Sequence, residues 1–157
     1  MDARKPLGRG QGGVAAGSCL AVTPPAGCVQ VGCNDLSQCL VSCSTTQRWV
    51  NARMLCENAG WRLNCVDSNT EADCLGPLAD LAWIGHQQDP MATEPGTGWA
   101  RTDGSIPAPL WGNGEPGDGV TTAEDHEEDC AFLFSNGKWG DWICDSAAAL
   151  LPYTCEL

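Results

Sequence analysis

The sequence predicts an α+β domain stapled by disulfides, and three observations predict it. Eleven cysteines occupy 157 residues. Helical periodicity is confined to the first half of the chain. Beyond Leu81 short apolar pieces alternate with a long Gly/Pro-rich stretch, a texture of strands and loop. A chain of this length builds one domain with a real core and leaves too little for a second of ordinary size.

Residues 1–18 are Gly-rich and polar and read as a flexible tail. Residues 19–43 hold five cysteines among turn residues, including "TPPAGC" and "GCND", and read as a Cys-rich hairpin segment that overlaps a main domain spanning 38–157. Within the overlap, "QCLVSCS" reads as a short strand. "TTQRWVNARMLCENAG" puts Trp49, Ala52, Cys56 and Ala59 on one helical face, with Thr45 or Thr46 as N-cap and Gly60 as the stop. "SNTE" at 68–71 is a capping box, and Gly76-Pro77 keeps the helix it starts short. "LAWIG" follows. The region from His86 to Asp129 is too long for a structureless loop in a compact domain, and Trp99 and Trp111 within it argue for order. The chain ends in "CAFLF", "WGDWIC" and "LPYTCEL".

Cysteines at this density pair outside the cell and are liabilities in a reducing cytosol, so the expected location is extracellular, secreted or at the cell surface. No signal peptide is visible in this chain, because "MDARKPLGRGQGGVAAGSC" lacks a continuous apolar stretch. No run reaches the roughly 20 apolar residues a membrane-spanning helix requires, so membrane insertion is not expected. The net charge is −12, and Arg4, Lys5 and Arg9 all lie in the tail. A nucleic-acid partner, which requires a basic face, is not expected. No Lys or Arg stands between Arg101 and Lys138, yet Asp103, Glu115, Asp118, Glu124, Asp125, Glu127, Glu128 and Asp129 do. Such density calls for water or a cation.

From Gln38 to Leu157 the pieces resemble a C-type lectin-like domain of the long form, with extra N-terminal cysteines. They are "W-x-x-A-x-x-x-C" at Trp49, Ala52 and Cys56; "WIG" at 83–85; "GW-x-x-x-DG" at 98–104; "W-x-x-G-E-P" at 111–116; "EDCA" at 128–131; "GKWGDWIC" at 137–144; and "YTCE" at 153–156. Any one is weak, but seven in order at compatible spacing are specific. The resemblance implies two short helices on small antiparallel sheets with a long ordered loop. It also implies two disulfides, Cys56 with Cys155 and Cys130 with Cys144, worth about 4.7 and about 3 kcal/mol in the chain-entropy model. Cys65 and Cys74 flank the second helix start and are expected to pair locally. Cys19, Cys28, Cys33, Cys39 and Cys43 remain, and the odd count leaves one thiol, either buried or available for self-association through an intermolecular bond.

In the family's sugar-binding branch calcium sits between a Glu-Pro-Asn or Gln-Pro-Asp loop, a later Glu and the Asn-Asp of "WND". Calcium takes six to eight oxygen ligands, and sugar hydroxyls complete its shell. The matching positions here are Glu115-Pro116-Gly117, Glu128 and Trp139-Gly140-Asp141. Glycine replaces both asparagines, which removes two amide ligands, and Asp118 is the nearest replacement for one of them. The auxiliary calcium position of the family maps to Asp89, Glu94, Asp118, Glu128 and Asp129. Four extra residues separate the Pro motif from "EDC" relative to the family's common spacing. Beside these stands the bland reading, a solvated acidic loop.

The resemblance places Trp83 and Trp139 in the core; Trp142 either borders the binding surface, where an indole stacks on a sugar or anchors a protein, or packs in the core. His126 adds a further contact or is merely exposed. Two histidines with no Cys/His spacing give no zinc site, and no motif sets a nucleophile beside a base, so no enzyme is expected. Two functions follow. One is an extracellular calcium-binding domain recognising a glycan or glycoconjugate through Glu115, Asp118, Glu128, Asp141 and Trp142. The other is a module on the same scaffold that binds a surface protein or assembles with itself.

Overall fold

The computed structural model describes residues 19, 22–33, 38–78, 80–93, 95–117 and 128–157. In chain order its elements are β1 (Cys28–Val31), β2 (Leu40–Gln47), α1 (Trp49–Asn58), β3 (Arg62–Leu63), α2 (Asn69–Leu75), β4 (Ala82–Gln88), β5 (Trp99–Arg101), β6 (Cys130–Leu133), β7 (Trp139–Trp142) and β8 (Leu151–Glu156). The tail and the 118–127 stretch lie outside the described residues. Among those described, no helix is long and apolar enough to cross a membrane.

The strands form one hydrogen-bonded path, β1-β2-β8-β4-β6-β7, with β3 attached to β8 and β5 to β4. Every pairing is antiparallel except that of β4 with β8, where Trp83 stands opposite Tyr153. Apolar residues fill both faces of this sheet. One face gathers Trp49, Ala52 and Cys56 of α1 with Trp83, Phe132 and Tyr153. The other gathers Ala72 and Leu75 of α2 with Ile84, Leu133 and Trp139.

Trp49, Ala52 and Cys56 form the buried stripe of α1, as their spacing requires. The ends of that helix differ from expectation. β2 continues through Gln47, so Thr45 and Thr46 are strand residues and Arg48 occupies the N-cap without a side-chain hydrogen bond. Ala59 is the exposed C-cap, not part of the buried stripe. Gly60 follows at φ 79°, a left-handed conformation glycine adopts without strain, and ends the helix. At α2, Ser68 Oγ accepts the Glu71 N–H at 3.2 Å, while Glu71 Oε2 accepts from the Asp67 N–H at 3.4 Å. The helix stops after seven residues.

Indole nitrogens tie distant segments together. Trp49 Nε1 donates to the Ile84 carbonyl at 2.7 Å and Trp83 Nε1 to that of Gln47 at 2.8 Å. The described part of the long loop is held by edge-to-face aromatic contacts, Trp99 to Trp111 at 4.7 Å and Trp111 to Trp139 at 5.4 Å between centroids.

Disulfides join Cys56 to Cys155 and Cys130 to Cys144. In the N-terminal segment Cys19 pairs with Cys39 and Cys28 with Cys43, the latter directly across the β1–β2 register. The expected Cys65–Cys74 bond is not formed. Cys74 lies on α2 and bonds Cys33, fixing the N-terminal segment to that helix. Cys65 points the other way, into the sheet, where its Sγ lies 3.3 Å from the Gly85 carbonyl. Nearness in sequence does not bring two cysteines together when a helix start turns one of them to a different neighbour.

Candidate functional site

β7 and the segment before it build the site. Trp139 N–H donates to the Leu110 carbonyl at 3.0 Å and Gly112 N–H to that of Trp139 at 2.8 Å, which docks residues 110–112 on the edge of β7. The chain then turns through Glu115 and Pro116, whose peptide bond is cis. Gly117 N–H reaches Asp141 Oδ1 at 2.8 Å.

Three carboxylates converge there. Around the point where a Cβ on Gly117 would sit, Glu128 Oε2 lies at 3.3 Å and Asp141 Oδ1 and Glu115 Oε2 each at 3.9 Å. Asp141 is 6% exposed, and its Oδ2 is buried with no hydrogen-bond donor. Burial first, then the facing Glu115 carboxyl and the negative charge of Glu115 and Glu128, holds the Asp141 carboxyl far above the usual carboxylate range. Ionised carboxylates cannot satisfy one another, so a proton or a cation has to come between them. The three oxygens face a common point without closing on it. Among the described residues, no three His, Cys, Asp or Glu side chains form a group able to hold a metal.

The remaining candidates are placed differently. Glu94, Asp118 and His126 lie outside the described residues. The Asp129 carbonyl accepts the Gln88 N–H at 2.9 Å, tying the start of β6 to the end of β4. Asp89 uses Oδ1 to accept the Met91 N–H at 2.9 Å in the turn after β4. Trp142 alternates with Asp141 along β7, so its indole leaves the opposite face of the strand, where it is half-buried against Phe132 at 6.1 Å between centroids. The structure thus gathers Glu115, Glu128 and Asp141, and does not bring Trp142 to them.

The two glycines at the asparagine positions differ in kind. At Gly117 the missing side chain leaves room among the carboxylates. At Gly140 there is none, since a Cβ would lie 2.6 Å from Phe132 Cζ and 2.9 Å from Phe134 Cε2. Phenyl rings occupy the volume that an amide would need. The sequence pattern signalled the glycine but not its filling, because "CAFLF" reads simply as an apolar strand.

Four further residues have surroundings that the sequence reading did not give. Glu71 on α2 and Glu156 on β8, at 1% and 2% exposure, are buried carboxylates. Glu156 pairs with Arg62 Nε at 2.7 Å, and Glu71 accepts from Gln38 Nε2 at 2.9 Å. Burial, then the charge of Glu156, raises Glu71 to about 7. The capping box found Glu71 but gave no sign of its depth. His86 is fully buried and stacked on Trp139 at 4.1 Å, and burial lowers it to about 3, so it is a neutral core residue. Cys65 is the free thiol, 4% exposed and pushed by burial to about 11. A buried, protonated sulfur is poorly disposed to bridge two chains.

No family model matches the sequence, and no curated protein matches it. Solved structures do. The cow C-type carbohydrate-recognition domain of CD23, crystallised with a GlcNAc2Man3 oligosaccharide, is 26% identical at a TM-score of 0.64, with 87% of this chain and 97% of that one covered. The mouse scavenger receptor C-type lectin carbohydrate-recognition domain is 23% identical at 0.65, covering 86% and 98%. A calcium-independent type II antifreeze protein is 22% identical at 0.59, covering 87% and 95%. The folds agree over nearly the whole of each neighbour. By fold, the chain is a C-type lectin-like domain.

Proposed function

We propose that this is an extracellular recognition domain that holds calcium with Glu115, Glu128 and Asp141 and engages the hydroxyls of a glycan or glycoconjugate there. The observation that carries the reading is the convergence of three carboxylates, from separate segments, on the side-chain position that Gly117 leaves open. Their hard oxygen donors suit calcium, and a resident calcium would accept sugar hydroxyls in place of water. Asp141 Oδ2, buried and without a donor, gives the cation something to satisfy. The kinship in fold to carbohydrate-recognition domains supports the glycan as ligand. Calorimetric titration with calcium and a glycan array run with and without EGTA test it. Heat of binding and chelator-sensitive glycan signals are expected; the absence of both overturns the reading.

A second reading has its own observation. The phenyl rings of Phe132 and Phe134 at the Gly140 position remove an amide ligand that sugar coordination uses, and a neighbouring fold is calcium-independent. In that case the scaffold recognises a protein surface without calcium, and pull-downs unaffected by EGTA are the expected result.

A further inference from the structure

Two asparagines of the chain precede glycine, in Asn113-Gly114 and Asn136-Gly137. That dipeptide carries its own chemistry, because glycine has no Cβ to shield its backbone nitrogen from the asparagine amide beside it. The two stand in opposite surroundings. Gly137 is buried, its N–H donates to the Phe134 carbonyl at 2.9 Å, and Asn136 Oδ1 accepts the Lys138 N–H at 3.0 Å. The Gly137 backbone is also wedged against α2, since a Cβ there would lie 3.0 Å from the carbonyl carbon and oxygen of Ala72. Asn113 and Gly114 are both exposed. Neither the Asn113 side chain nor the Gly114 N–H has a hydrogen-bond partner among the described residues. Beyond the neighbouring residues, nothing lies within 4 Å of where a Cβ on Gly114 would sit.

We propose that Asn113 is a site of spontaneous backbone modification in the folded domain, and that its isoaspartyl product unseats Glu115 from the group it forms with Glu128 and Asp141. The Gly114 nitrogen gives its proton to solvent base and bonds to Asn113 Cγ. The Cγ–Nδ2 bond breaks, and ammonia leaves with a proton taken from water. Water then opens the five-membered imide. Attack at Cγ restores the ordinary chain as aspartate, and attack at the backbone carbonyl carbon leaves the chain running through Cβ and Cγ as isoaspartate. Water is the sole co-reactant, and nothing is oxidised or reduced.

The position of Asn113 gives the change its consequence. On one side Gly112 is fixed to β7 by its N–H to the Trp139 carbonyl at 2.8 Å; on the other the Gly117 N–H reaches Asp141 Oδ1 at 2.8 Å. Between them the Glu115 N–H closes a turn on the Gly112 carbonyl at 3.2 Å. An isoaspartyl residue adds one backbone carbon inside that turn and one negative charge two residues from Glu115. With both ends anchored the extra length bulges outward, so the turn hydrogen bond breaks and Glu115 moves off. The modification and the displacement stand apart from the calcium reading of these carboxylates; only an effect on calcium rests on it.

The test ages the whole chain in mildly alkaline buffer and follows each asparagine by tandem mass spectrometry, with isoaspartyl methyltransferase labelling of the product. Asn113 is expected to convert faster than Asn136 by about fivefold or more, the factor that a hydrogen bond of ordinary strength withholds. In guanidinium with the disulfides reduced, the two rates draw level. Hydrogen exchange of the aged chain should be faster over residues 112–117 and unchanged over 135–138. Asn113→Gln, whose longer side chain closes the ring far more slowly, keeps the fresh pattern on ageing. Asn113→Asp, which brings the charge without the added carbon, leaves exchange of Glu115 and Gly117 near that of the fresh chain. Native conversion at Asn136 as fast as at Asn113 overturns the proposal, and so does conversion at Asn113 with no change of exchange over 112–117. Calcium binding by the fresh chain and not by the aged one extends the effect to the metal. A fresh chain that binds no calcium sinks the calcium reading alone, while conversion and exchange still decide this one.

Discussion

Phe132 stands where a side chain on Gly140 would go, with only 2.6 Å between its Cζ and the absent Cβ. The departure from the sugar-binding pattern at 140 is therefore paired with an aromatic on the neighbouring strand, β6, directly opposite in register. The two positions act as one unit of packing.

Gly140→Asn is expected to destabilise the domain by about 1–3 kcal/mol through overpacking and to leave calcium affinity no higher. Phe132→Ala, which costs about 3–5 kcal/mol by itself, should cost less in the Gly140→Asn chain, a coupling that a double-mutant cycle in urea will register. Additive losses would show that the two residues are independent.

Glu71 gives stability a pH dependence of definite sign. Its folded value of about 7 lies above the ordinary carboxylate range, so between the two the folded state binds more protons than the unfolded chain. Stability therefore falls as pH rises through that window. Glu71→Gln, which keeps an acceptor for Gln38, should flatten the decline and melt higher than the parent at pH 8, with about 2–4 °C for each kcal/mol recovered. A parent whose melting temperature is level from pH 5 to pH 8 contradicts this.

Cys65 should resist modification in the native state. Its thiol is 4% exposed and lies about two pH units above the ordinary value, which alone lowers the thiolate fraction about a hundredfold. Thiol titration is expected to find one reactive group per chain in guanidinium and none without it. Non-reducing electrophoresis should show no dimer. A native thiol that reacts within minutes, or a disulfide-linked dimer, would place another cysteine in the unpaired role.

Removing the bond between Cys33 and Cys74 by a double serine substitution is expected to cost up to about 4 kcal/mol, as judged from the 41-residue separation in the chain-entropy model. The loss should appear as a lower urea midpoint, while hydrogen exchange accelerates most in the β1–β2 hairpin and α2, which the bond joins. Exchange changes confined to the Gly117 segment would contradict that placement.

The parts of the fold legible in the sequence were those set by local rules. The α1 stripe follows helical spacing, the Ser68 and Glu71 cap follows a three-residue interval, and the tryptophans of the long loop announced an aromatic anchor. The start of α1 was misread because Thr45 and Thr46 suit a cap as well as a strand, and pairing of β2 with β8 decided the matter. The partner of Cys74 could not be read because it depends on which side of α2 the N-terminal segment runs. Motif positions brought Glu115, Glu128 and Asp141 to notice, whereas the burial of Glu71 and Glu156 and the rings behind Gly140 exist only once the strands are paired.

β8, which follows every other described strand in sequence, lies in the middle of the sheet between β2 and β4. During synthesis both of those strands must wait with an edge unsatisfied until β8 emerges, and Cys56 waits with them for Cys155. Cys19, Cys28, Cys33, Cys39 and Cys43 are by then already available to one another and to Cys56. Correct oxidation of this domain is thus a matter of timing, and its yield in a heterologous host will depend on an isomerase that can undo early pairings.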